Sequence, residues 1–317
     1  MRQLTLRGLG IRGLGAACLL ATCPVQAQDS ALLQQAYRDY AAKSPVALPE
    51  LQALVKNSPD SVQAHEMLAS LYLRQNQIPA AIPELEAVVR LNPKEVSGYR
   101  DNLGVAYQQT GDYPKAARLY QAALLQSPAD PALLLSYAVA LEKCGRPADA
   151  AAAFSRAAVQ NPKDSKTVLY AGLLFHQIGN DTEAIPLLKS AIALGTDQKF
   201  SAYTALAEAA AAAANPADAL QCYTQAGAAN PADFSTQANL GILEQNAGNN
   251  DAAEAAYRKA ITLKSDDPNA MATIEENLAL LLEKQGKKEP ALAAYKKALT
   301  LSPNSERAKN GAARLSK

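Results

Sequence analysis

His65, His176, Cys144 and Cys222 are the side chains downstream of residue 27 suited to nucleophilic, general-base or metal chemistry near neutral pH. Their spacing supports none of these. The histidines stand far apart in the chain, and no Cys pair or Cys/His cluster has the spacing of a zinc site. No phosphate loop, nucleophile elbow or metal-binding helix motif occurs. The sequence therefore predicts no catalytic residue, no metal and no cofactor. The reading is that of a protein that is not an enzyme.

Composition narrows the class further. Of 317 residues 19% are charged, with a formal balance of +1, so the chain is not a polycation that seeks nucleic acid on charge alone. Apolar residues make up 49%, yet aromatics only 5%, Trp is absent and 67 residues are Ala. A core built around large rings is not expected, because so much of the apolar fraction buries little surface.

The first 27 residues read as an export signal. Arg2, Arg7 and Arg12 precede a small, apolar stretch from Leu14 to Cys23, and Val25-Gln26-Ala27 offers a small-x-small cleavage pattern. The apolar run is too short to span a bilayer, which takes ~20 residues. A periplasmic or secreted protein is the expectation. The alternative is an outer-membrane lipoprotein carried by Cys23, since Leu20-Ala21-Thr22-Cys23 resembles a lipobox with Thr in place of the usual small residue.

The elements that position everything else show in a repeat. Prolines fall at Pro59, Pro93, Pro128, Pro162, Pro231 and Pro303, and the two long gaps are filled by Thr196 and Ser265, giving a period of about 34 residues. In the cleanest copy Leu103-Gly104 and Tyr107 lie on one helix, Gly111-Asp112 breaks it, and Ala116, Tyr120 and Ala123 lie on a second that ends at Ser127-Pro128. Apolar residues at spacings of three and four give each helix one buried face. Gly104 is expected to lie opposite Ala116. Pro83 and Pro186 fall a few residues into second helices, which are expected to begin late because proline is tolerated only in a first turn.

These residues resemble the tetratricopeptide repeat (TPR) signature, Trp-x-x-Leu-Gly-x-x-Tyr, then Ala-x-x-x-Phe, then Pro. Seven copies carry it, from Leu68-Ala69, Tyr72, Ala81, Leu85 and Pro93 to Leu278-Ala279, Leu282, Ala291, Tyr295 and Pro303. The Trp position holds His65, Arg100, Leu134, Val168, Tyr203, Gln237 and Glu275 instead. The predicted fold is all-α, a right-handed superhelical solenoid of stacked helix-turn-helix hairpins. Its parts are a cleaved segment 1–27, a degenerate hairpin 28–61, repeats at about 62–95, 97–130, 131–164, 165–198, 200–233, 234–267 and 272–305, and a capping helix 305–317. The Ala209 to Ala214 run predicts the thinnest packing in the fifth repeat. Cys144 and Cys222 fall in different repeats and are expected to stay unpaired.

The resemblance implies a concave face lined by the first helix of each pair. The repeat register puts Asp101, Asn102, Val105, Gln108, Leu135, Ser136, Val139, Leu169, Tyr170, Leu173 and His176 on it, an apolar strip flanked by amides and acids that suits a peptide or protein segment. The basic residues of a carboxylate clamp are missing, with Glu66, Gly98, Ala132 and Ser136 in their places. From Lys284 onward nine basic residues face two acidic ones, which predicts either a solvated cap or weak attachment to an anionic membrane or cell-wall partner. The expected function is an exported scaffold that binds an unidentified protein segment in its groove. The competing reading is a membrane-associated envelope-assembly subunit acting as a spacer.

Overall fold

Helix-period apolar stripes separated by Gly and Pro leave the backbone few choices. The computed structural model describes residues 27–42, 44–92 and 97–316, and among these it contains seventeen α-helices and no strand. The expected export segment with Cys23, the Pro93 mark and Lys317 lie outside the described residues. A leading pair, α1 (Ala27–Ala41) and α2 (Ala47–Asn57), comes first. Hairpins follow: α3 (Val62–Arg74) with α4 (Ile78–Leu91), α5 (Ser97–Gln109) with α6 (Tyr113–Leu124), and α7 (Pro131–Lys143) with α8 (Pro147–Gln160). Next are α9 (Ser165–Gln177) with α10 (Asp181–Ala193), α11 (Lys199–Ala212) with α12 (Pro216–Ala229), and α13 (Phe234–Asn246) with α14 (Asn250–Leu263). The last hairpin is α15 (Pro268–Lys284) with α16 (Lys288–Leu301), and α17 (Glu306–Leu315) closes the series. The chain divides into two compact units, one ending at Pro162 and the other beginning at Lys163.

Local chemistry starts and stops these helices. Two residues past six of the repeat marks, Ser61, Asp130, Asp164, Asp233, Asp267 and Ser305 accept a hydrogen bond from a first-turn backbone N–H, whereas Gln198 past Thr196 makes no such cap. Each cap satisfies a donor the helix leaves unpaired. Inside each hairpin the residue just before the second helix's N-cap takes a left-handed conformation. Gly111, Gly145, Gly179, Gly248 and Gly286 fill that turn, while Asn76 (φ +58°) and Ala214 (φ +54°) occupy it in the two hairpins that lack glycine.

Within each hairpin a small residue on the first helix is buried, and so is a large one on the second. The small set is Ala69, Gly104, Ala138, Gly172, Ala207, Gly241 and Ala279, and the large set is Leu85, Tyr120, Phe154, Leu188, Tyr223, Tyr257 and Tyr295. The contact is direct at the glycines. A Cβ at Gly104 would overlap the Tyr120 ring, and one at Gly241 the Tyr257 ring. The residue lying against Gly104 is thus Tyr120 rather than the expected Ala116, which is buried nearby. Three of these tyrosines also reach back to the end of their own first helix. Tyr120 Oη donates to Gln108 Oε1 at 3.1 Å, Tyr257 Oη to Gln245 Oε1 at 2.7 Å, and Tyr295 Oη to Glu283 Oε2 at 3.0 Å. The polar tip is satisfied while the ring stays dry.

The prolines depart from expectation. α4 and α10 begin at Ile78 and Asp181, so Pro83 and Pro186 lie inside them. The carbonyls that lose a partner belong to Pro79 and Thr182, both exposed and open to water, so the usual cost of an interior proline is reduced. At the signature's Trp position His65, Leu134, Val168, Gln237 and Glu275 are buried. His65 is held by Glu84 Oε2 at 2.6 Å and the Pro59 carbonyl at 3.0 Å, whereas burial pushes the Glu275 carboxyl above its ordinary value. In α11 the buried set is Leu206 and five alanines, a small apolar area for a helix of its length.

Two outcomes follow from these contacts. Gly241→Val should drive side-chain atoms into the Tyr257 ring and lower stability by about 1 to 3 kcal/mol in thermal denaturation followed by circular dichroism. Ala214→Gly should do the opposite, raising stability by up to about 1 kcal/mol as the left-handed turn loses its Cβ penalty. An unchanged melting temperature in either variant would contradict the geometry assigned to that residue.

Candidate functional site

One register position samples the face expected to receive a ligand: the residue two beyond the signature Leu on each first helix. In the first unit it holds Ser70, which is buried, and Val105 and Val139, both half-buried. In the second unit it holds Leu173, Glu208, Ile242 and Leu280, of which Glu208 and Ile242 are exposed. Leu280 packs against the small core that α15 and α16 share with Ala308 of α17, so the capping helix covers that end.

The predicted site residues divide between accessible and structural positions. Asp101, Val105, Leu135 and Val139 are half-buried in the first unit, and Leu135 packs against its hydrophobic core. Tyr170, Leu173 and His176 are half-buried in the second. Asn102, Gln108 and Leu169 are not available to a ligand, being 4%, 2% and 0% exposed. For Gln108 the reason is specific: its amide donates to the Ser136 carbonyl of α7 at 2.9 Å and accepts from Tyr120, joining two hairpins. Leu169 is a fully buried side chain of α9. On α13, Asn239 is likewise engaged, donating to Tyr223 Oη at 2.9 Å.

The structure brings one of these residues into a cluster that the sequence did not reveal. His176 Nδ1 lies 2.7 Å from Asp181 Oδ1, at the start of α10, and Nε2 lies 3.0 Å from Glu208 Oε2 on α11. Burial alone pulls the imidazole pKa down, but the hydrogen bonds to the two carboxylates outweigh it and the net shift is upward. The signal for Glu208 and Ile242 was available, because both share the register position of Leu173. Asp181 was not, since it stands outside any first helix.

Four of the basic residues in the C-terminal region pair with acids of the chain itself. Arg314 makes a two-pronged contact with Glu283, at 2.7 and 2.8 Å, and Arg307 Nη1 lies 4.0 Å from Glu276 Oε2. Lys287 pairs with Glu254 and Lys309 with Glu306, both at 2.8 Å. The two arginines fasten α17 to α15, whereas Lys287 reaches back to α14 and Lys309 pairs within α17. Lys284, Lys288, Lys296 and Lys297 remain on the surface. Cys144 and Cys222 are free, half-buried thiols, and burial pushes Cys222 up, away from the reactive thiolate. Among the described residues no group of three or more His, Cys, Asp or Glu side chains is placed to hold a metal, and no helix is long and apolar enough to cross a membrane.

Comparison with known proteins agrees with the hairpin geometry. Models described as tetratricopeptide repeat match residues 35–96, 102–165 and 145–199, and a second such model matches 233–304. The chain belongs to the tetratricopeptide repeat family. This TPR chain is similar in fold to the C-terminal part of a TPR repeat-containing protein from Cytophaga hutchinsonii, with a TM-score of 0.59 and 17% identity over 77% of this chain and 97% of that one. It is also similar to YrrB, described as a TPR protein with an unusual peptide-binding site, with a TM-score of 0.52 and 18% identity over 61% of this chain and 97% of that one. No curated protein matches the chain. Its TPR hairpins place it among protein–protein interaction scaffolds, a fold generally without catalytic function.

Proposed function

We propose that this protein is an exported, non-catalytic scaffold that binds an extended protein segment along the first-helix face of its repeats. The observation that carries the reading is the ladder of half-buried or exposed Leu173 and Ile242 around Glu208 in the second unit, with Tyr170 beside it. Apolar positions recurring once per hairpin, interrupted by a polar one, suit a chain with spaced anchors. Val105 and Val139 supply the corresponding positions in the first unit. Asn102, Gln108 and Leu169 act inside the packing, holding the helices that present these side chains. YrrB's description as a peptide binder is a precedent for the fold alone. Export to the periplasm or beyond is supported by the Arg-rich start and the Val25-Gln26-Ala27 cleavage pattern.

Crosslinking pull-down from an envelope fraction tests the groove. Leu173→Asp combined with Ile242→Asp changes accessible side chains, so the fold should survive by circular dichroism while partner capture falls. A partner recovered equally by wild type and variant discards the groove. Mass spectrometry of the mature chain tests export. It should begin at Gln28, and a diacylated Cys23 would replace the soluble assignment with a lipoprotein.

A further inference from the structure

His176 is placed for more than lining a face. Its two ring nitrogens each meet a carboxylate, and the two carboxylates come from different hairpins: Asp181 from its own pair, Glu208 from the next. A neutral imidazole has one N–H and can satisfy only one of them, so both bonds exist together only in the imidazolium. The side chains of His176, Asp181 and Glu208 are 22%, 26% and 49% exposed, sheltered enough for the charges to matter and open enough for protons to exchange. On the helices packed against α9, the other charged or titratable groups are Glu183 and Lys189 of α10 and Lys199 and Tyr203 of α11, and none of them bonds the ring. On α9 itself Lys166 lies toward Asp197, and Tyr170 stands between it and the imidazole in sequence.

We propose that His176 is a proton-controlled tie between the fourth and fifth hairpins, closed when the imidazole carries two protons and released when it loses one. The position matters because α11 buries mostly alanine, so little apolar contact competes with the tie. Release leaves a carboxylate facing a ring lone pair at hydrogen-bond distance. Glu208, the more exposed of the two, is the one free to turn away, and it then stands as a bare acid beside the ligand face. The sign follows from the upward shift of the histidine. Its contribution is complete below the ordinary value of 6.5 and is lost as pH rises through the higher value of the folded protein. The tie regulates the face but does not depend on a ligand binding there.

The full chain tests this by NMR titration of the His176 ring alongside amide hydrogen exchange, corrected for intrinsic rates, over about pH 5.5 to 8.5. The ring should titrate above its ordinary value, and protection across 199–212 should fall about threefold to tenfold as it does. His176→Gln should remove that step. Glu208→Gln should move the ring's titration down and shrink the step, and it serves the same purpose if the first variant fails to fold. Protection that stays flat through the titration, a step that survives in His176→Gln, or a ring titrating at or below its ordinary value each overturns the tie. None of these outcomes depends on the pull-down, so the groove and the tie fail separately.

Discussion

The packing turns on the seat that a first-helix glycine gives to a second-helix ring. Tyr120 on Gly104 and Tyr257 on Gly241 sit where even a methyl group would overlap the ring. The seat sets how near the two axes come, and hence which neighbouring side chains can also touch. The tyrosine hydroxyl then adds direction to the packing, because it finds its acceptor near the end of the first helix and so resists sliding of one helix along the other. Where alanine replaces the glycine, the partner can be Leu85 or Phe154, which lack the polar tip and need only fill volume.

That constraint explains the composition. Helices held close leave room for Ala81, Ala116, Ala150, Ala184, Ala219, Ala253 and Ala291 at the matching second-helix position, all fully buried. Alanine is a spacing element here, with one large buried side chain four residues on in each second helix. After the last hairpin α17 packs against α16 and α15. Gly311 receives the Tyr295 ring, while Arg314 and Arg307 turn toward the acids of α15. Two arginines of the basic run thus secure the cap, while Lys284, Lys288, Lys296 and Lys297 stay on the surface.

Function uses what the packing leaves over. The residues two beyond each signature Leu are held by a helix fixed from behind, so their exposure is set by neighbouring hairpins rather than by their own chemistry. The His176 cluster is an ionic contact laid across that same face, against a helix whose buried side chains are one leucine and five alanines. An ionic tie in that place makes the local cohesion of the repeats depend on a proton, which hydrophobic packing cannot do.

Much of the architecture was legible without coordinates because it is local. A proline or its substitute every 34 residues or so, an Ala four residues before a ring, and Gly or Asn before the second helix each act over one or two turns, and the backbone obeys them wherever they occur. Exposure was not legible in this way. Leu169 and Leu173 are both leucines one helical turn apart on α9, yet the first is fully buried and the second is not. Asn102 and Gln108 looked like groove amides and are internal, and the Gln108 amide meets the Ser136 carbonyl 28 residues further on. The same holds for His176, whose register was clear but whose meaning depends on Glu208, 32 residues away. Sequence alone determined that hairpins form and where they turn, because those are contests between near neighbours. Which polar groups meet, and which side chains stay open, was decided by how one hairpin lies on the next, a question of three-dimensional proximity that spacing along the chain does not encode.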